Sequence, residues 1–175
     1  YVPLFDGVDI TFGKAVNASL KETTNGDVEG WSVAVPGKYT FYLRKDLQLA
    51  YAKTFKPFST LYLVGGCCES AWDYWDASSR FTPNPSKPEE LTWEGYLTPN
   101  WNDSRNEPDK LKILTAPDWF SETYHPYVPD YPLVGEYNFR TTGSEDFKWI
   151  IYDAGTYRIT VNTLTETMKA VKLNN

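Results

Sequence analysis

Three observations predict an all-β fold. Apolar and polar residues alternate in short runs, Gly and Pro punctuate the runs at close intervals, and no stretch of useful length carries a helical period. Runs at 8–12 (VDITF), 31–35 (WSVAV) and 39–43 (YTFYL) are separated by Gly13, Asn25-Gly26, Gly30 and Pro36-Gly37. Such spacing leaves room for strands and tight turns only.

A repeated element extends this reading to the domain level. The text from Trp31, WSVAVPGKYTFYLRKDLQLAYAK, and the text from Trp149, WIIYDAGTYRITVNTLTETMKAVK, both place a Gly six residues after the Trp and a Tyr two residues after that Gly. Tyr39, Phe41 and Leu43 share one face of the first copy and Tyr157, Ile159 and Val161 one face of the second, which predicts a half-buried hairpin strand in each. The period is too long for a small solenoid unit and suits tandem immunoglobulin-like β-sandwich domains. Residues 1–54 are then expected to be the C-terminal part of a preceding sandwich, 55–59 a linker, and 60–175 a complete second sandwich.

Within that second domain, residues 61–75 read LYLVGGCCESAWDYW, an alternating strand that enters Gly65-Gly66 and then a loop with Trp72, Tyr74 and Trp75. Cys67 and Cys68 are the only cysteines, and their adjacency excludes a CxxC motif or two halves of a usual zinc site. They are expected as two thiols, one facing in and one out; a vicinal disulfide is the alternative. Residues 91–97 (LTWEGYL) and 111–114 (LKIL) read as a strand pair joined by a long polar loop, TPNWNDSRNEPDK. Four prolines and five aromatics in 116–132 exclude a helix or a central strand, leaving an aromatic-rich surface loop.

Composition narrows the function classes. Aromatics make up 17% of the 175 residues, more than a core of this size uses, so some rings must lie at the surface. A mean hydropathy of -0.50 argues against a membrane span. The net charge of -6, with no basic run, argues against nucleic acid as a partner. The chain opens on Tyr1 without a charged-then-apolar leader, as expected of a processed product.

Candidate catalytic groups are weak. Glu89-Glu90, Asp73 with Asp76, and Glu145-Asp146 could form carboxylate pairs, but acidic residues are about an eighth of the chain and such pairs arise by chance. His125, the only histidine, has no recognisable nucleophile turn around it. Asp73, Asp76 and Asp103 lack EF-hand spacing. No metal and no cofactor is expected. Binding is better supported: Trp72, Tyr74, Trp75, Trp101, Trp119, Tyr124 and Tyr127 fall in loops, where flat rings suit the apolar faces of pyranose sugars. Trp31, Trp93 and Trp149 lie in strand patterns and are expected to be buried.

The order of LYLVGG with a following loop Trp, LTWEGYL, LKIL with a following APDW, and DAGTYRITVNTLTETMKAV resembles the repeated domain of the SusE and SusF starch-utilisation outer-membrane lipoproteins. The likeness covers residues 60–172, and its last motif is echoed at 31–53. It implies a non-catalytic β-sandwich that binds polysaccharide, an α-glucan first of all, on the cell surface. It also implies a lipid anchor outside this chain and other outer-membrane glycan-uptake proteins as partners. Carried onto this sequence, Trp72 and Trp119 become the aromatic platform and Lys112 and Arg140 the donors to sugar hydroxyls; Trp75 and Tyr124 are further ligand-contact candidates from their place in the aromatic loops. The alternative is a structural or protein-interaction sandwich without glycan binding. The segment 66–71 and the long loop before β-like LKIL depart from the family pattern close to this presumed site.

Overall fold

The computed structural model describes residues 36–43, 49–99, 106–141 and 146–173 and the strand backbone at 2–3, 9–10, 18–21 and 32–33; at 42–43 and 49–53, too, the description is of backbone alone. The chain is all-β: among the described residues the one helical element is a single 3₁₀ turn at Ala77–Ser79. It divides into two compact units, 1–56 and 57–175, the division falling inside the TFKPFS segment.

The first unit contains β1 (Val2–Pro3), β2 (Asp9–Ile10), β3 (Ala18–Lys21), β4 (Ser32–Val33), β5 (Tyr39–Leu43) and β6 (Leu49–Thr54). Its main sheet has the order β1-β3-β6-β5, and β2 and β4 pair separately in parallel.

The second unit contains β7 (Tyr62–Gly65), β8 (Thr82–Asn84), β9 (Lys87–Leu97), β10 (Lys110–Leu114), β11 (Thr123–Tyr124), β12 (Tyr131–Pro132), β13 (Gly135–Asn138), β14 (Trp149–Ile150), β15 (Gly155–Asn162) and β16 (Thr167–Lys172). One sheet runs β13-β16-β15-β9-β8. The other is built on β10, which pairs with β7 and also with β11 and β14; β12 pairs in parallel with β14. Residues of both sheets enter one continuous core: Leu63, Leu111, Ile113 and Trp149 from the β10 sheet, and Leu91, Trp93, Ile159, Val161 and Met168 from the other. The packing is sandwich-like, as alternating strands with one apolar face require.

The repeated element forms the same hairpin twice. Tyr39, Phe41 and Leu43 stand opposite Thr54, Ala52 and Ala50, and Tyr157, Ile159 and Val161 stand opposite Lys172, Ala170 and Met168, position for position. In the second unit the predicted faces hold: Tyr157, Ile159 and Val161 are buried, while Arg158 is exposed and bonds Glu94 at 2.9 Å. The Tyr157 hydroxyl donates to the Asp153 carbonyl at 2.6 Å, closing the turn before β15, and burial pushes its phenol pKa up. Tyr157→Phe is expected to lower stability by about 1 kcal/mol, since the exposed Asp153 carbonyl can turn to water. A urea-unfolding midpoint measures this.

Two expectations are corrected. LTWEGYL and LKIL do not pair: the first lies within β9 and hydrogen-bonds to β15 and β8, the second within β10 and hydrogen-bonds to β7, β11 and β14. The long loop between them therefore carries the chain from one sheet to the other, a crossing that no two-residue hairpin turn could make. Cys67 and Cys68 are not one in and one out: both are buried thiols that belong to the core. The strand has already turned at Gly65, whose carbonyl accepts from the Cys68 N–H at 3.0 Å. Cys68 then bridges to Leu97, and the Cys67 thiol points at the Lys110 carbonyl at 3.4 Å. A segment spanning the ends of two sheets loses the two-sided alternation of a strand.

Candidate functional site

Alternation along β10 positions the site. Leu111 and Ile113 point into the core, so Lys110 and Lys112 stand on the opposite side of the sheet, where Val64 faces Lys112 across the ladder. The neighbouring strand repeats the pattern, with Trp149 in the core and Lys148 and Ile150 on the outer side. Two lysines of adjacent strands are thereby brought to one face.

Two loops bring the rings to these lysines. After β7 the chain turns at Gly65-Gly66 and again at Ala71, which has a left-handed φ of 51°. The Ala71 carbonyl accepts from the Gly65 N–H at 2.7 Å, and the Asp73 carboxylate accepts from the Trp75 N–H at 2.8 Å. Trp72 is held at its edge, its Nε1 donating to the Asn106 carbonyl at 2.9 Å. After β10, the loop 115–122 is closed by Thr115, whose N–H and hydroxyl both donate to the Glu122 carbonyl. Asp118 accepts from the Phe120 N–H at its carboxylate and from Ser121 at its carbonyl, which fixes Trp119 at the tip.

Four rings meet in sequence. The Trp72 and Trp119 ring centroids lie 6.3 Å apart at an interplanar angle of 47°; Tyr74 is edge-on to Trp119 at 5.2 Å and tilted against Trp75 at 5.6 Å. Trp119 and Trp75 remain 42% and 65% exposed, whereas Trp72 and Tyr74 are half-buried behind them. Lys112 Nζ sits 5.3 Å from the Trp119 ring and Lys148 Nζ 6.0 Å from that of Trp72.

One carboxylate joins the two lysines. Asp146 accepts from Lys112 at 2.9 Å through Oδ1 and from Lys148 at 2.8 Å through Oδ2. Lys148 also reaches Glu107 at 3.1 Å, and Lys110 pairs with Asp130 at 2.8 Å. Burial pushes the Asp146 carboxyl up, but the hydrogen bonds from Lys148 and Lys112 outweigh it and hold the group below the ordinary carboxylate value. Burial likewise pushes Lys148 down, and its bonds to Asp146 and Glu107 outweigh that and raise it. A depressed carboxylate contributes stability above its unfolded pKa and loses it as pH falls through the folded one. A raised lysine loses its contribution only as pH climbs through its folded value. Near-ultraviolet circular dichroism is therefore expected to stay constant from about pH 9 down to the ordinary aspartate value of 3.8 and to change only below it, as Asp146 takes up a proton.

Of the residues singled out from the sequence, Trp72, Trp119 and Lys112 come together, and Trp75 joins them through Tyr74. Arg140 is placed by other contacts: its backbone bridges to His125 and its guanidinium lies 6.0 Å from the Tyr127 ring. Tyr124 is 3% exposed and packs between Phe139, stacked at 4.5 Å, and Phe58, so it has no ring face to offer a ligand. Burial also pushes its phenol pKa up. Trp93 and Trp149 are buried as expected. Trp31, Trp101, Asp103 and Glu145 lie outside the described residues.

Lys148, Asp146 and Glu107 were not among the expected site residues. A faint signal existed for one of them: Lys148 precedes a core Trp in a strand pattern and must face away from it. Asp146 was visible only as half of a carboxylate pair. The carboxylates of Asp73 and Asp76 accept backbone N–H groups of Trp75 and Ser78, the usual work of aspartates in turns, and the Ser78 N–H lowers the pKa of Asp76. Comparison of the chain with models of protein families, with curated proteins and with solved structures found no match.

Proposed function

We propose that this chain is a non-catalytic polysaccharide-binding module whose ligand lies on Trp119 and Trp75, with Trp72 and Tyr74 as the inner wall and Lys112 at the edge. The observation that carries the reading is the contact series Trp72, Trp119, Tyr74, Trp75, in which two rings keep exposed area while turn hydrogen bonds and a lysine pair hold the set in place. Exposed indoles fixed by polar contacts suit the C–H faces of sugars, and rings inclined to one another suit a curved chain such as an α-glucan.

Sequence motifs resembling SusE and SusF support the same reading, together with a position on the outer membrane through a lipid anchor and a role beside other glycan-uptake proteins. The identical hairpin register in the two units supports a tandem of immunoglobulin-like sandwiches. Stacking on one indole face buries about 100 Å², worth about 2.5 kcal/mol, and two such faces about 5 kcal/mol. Against an association cost of at least about 4 kcal/mol, a single site binds weakly, and tandem modules gain by avidity.

Affinity electrophoresis through gels containing starch, pullulan, dextran or a β-glucan tests the proposal. Retardation by the α-glucans starch and pullulan is expected. Unimpeded migration in every gel would leave the structural or protein-interaction reading in its place.

A further inference from the structure

We propose that Asp146 is the positioning residue of the aromatic site, setting the mutual angle of Trp72 and Trp119 through one lysine for each ring. It touches neither indole in the contacts described above; it acts through Lys112 and Lys148. Its effect on ligand binding rests on the polysaccharide reading, whereas its effect on the rings does not.

The geometry is bipartite. Oδ1 takes Lys112, which stands over Trp119, and Oδ2 takes Lys148, which stands over Trp72. Both lysine side chains are nearly buried, at 12% and 10% exposure, so each ammonium has given up most of its water and depends on protein acceptors. The two are not equally dependent. Lys148 has a second carboxylate in Glu107 and a bond to the Asp146 carbonyl, whereas Asp146 is the one carboxylate paired with Lys112 among the described residues. Loss of the Asp146 charge leaves two like charges facing each other, with Lys112 the one lacking an anchor. It then turns toward water and leaves the Trp119 face. Trp72 keeps its own tether to Asn106. The expected result is a change in the Trp119 half of the pair, and therefore in the angle between the rings.

Two indoles 6.3 Å apart and inclined at 47° couple their transitions, and the exciton couplet in far-ultraviolet circular dichroism reports that geometry without any ligand. The contribution of the pair is the part of the wild-type spectrum that Trp72→Phe and Trp119→Phe each remove. Asp146→Asn is expected to lose at least about half of it and to weaken retention in an α-glucan gel about fivefold or more. Asp146→Glu, which keeps the charge, should restore most of both. A full couplet in folded Asp146→Asn would overturn the proposal. Should that variant not fold, Lys112→Met decides instead: a reduced couplet supports the proposal and a full one overturns it. Wild type that binds no polysaccharide while Asp146→Asn loses the couplet would remove the binding reading and leave the positioning role standing. Wild type that binds while Asp146→Asn keeps the couplet would do the reverse.

Discussion

Trp119→Ala is expected to lower retention in an α-glucan gel about 60-fold, the equivalent of about 2.5 kcal/mol for one indole face no longer covered by sugar. The fold should tolerate the change. Trp119 is 42% exposed at the tip of a loop whose closure rests on Thr115, Asp118 and Ser121, and none of those hydrogen bonds uses the indole. What is lost structurally is the contact with Trp72 and Tyr74, a cost of about 1 kcal/mol, together with the ring face under Lys112. Phe120→Ala is the matched control. Phe120 is 97% exposed on the same tip, and among the described residues no ring contact ties it to the cluster, so retention should stay within about twofold. Equal retention of Trp119→Ala and wild type would remove Trp119 from the site. Equal losses in both variants would show that loop shape, and not the indole, governs binding.

Gly66→Ala is expected to destabilise the second unit by about 3 kcal/mol or more. A Cβ there would meet the Glu107 carbonyl oxygen at 2.2 Å, its carbon at 2.7 Å and Pro108 Cα at 2.7 Å. All three are backbone atoms, so no rotamer change relieves the clash and the segment at 107–108 must move. That movement reaches the site, because Asn106 tethers Trp72 and Glu107 holds Lys148. Molecules that still fold should therefore bind less well than their folded fraction implies. Gly155→Ala supplies the contrast: the nearest atoms its Cβ would meet belong to the far end of the Lys172 side chain, at 2.5 Å, and that chain can swing aside. Its stability should stay within about 1 kcal/mol of wild type, as urea denaturation of both variants would show.

Both outcomes bear on how much of this protein a reader of the sequence alone could see. The all-β class, the hairpin that occurs twice and the buried faces of Tyr157, Ile159 and Val161 followed from local pattern, since a strand with one apolar face must bury it. The ring-bearing loops were legible for a related reason: Trp72, Tyr74, Trp75 and Trp119 lie where no strand periodicity can carry them inward together. The same reasoning failed for Tyr124. It lies in a proline-rich stretch that reads as surface loop, yet two residues of that stretch pair with β10, and its ring drops into the core.

The tertiary structure alone decided which strands became neighbours. Alternation states which side of a strand is apolar and is silent about the strand across the ladder, because every strand offers the same backbone donors and acceptors on both edges. Pairing β10 with β7 and β14, and not with β9, set Lys112 next to Lys148 and placed Asp146 between them, while Arg140 went to Tyr127. Residue types and burial were thus written locally, but the site depends on contacts between segments far apart in the chain. Only the closing of the sheets brings those segments within hydrogen-bonding distance.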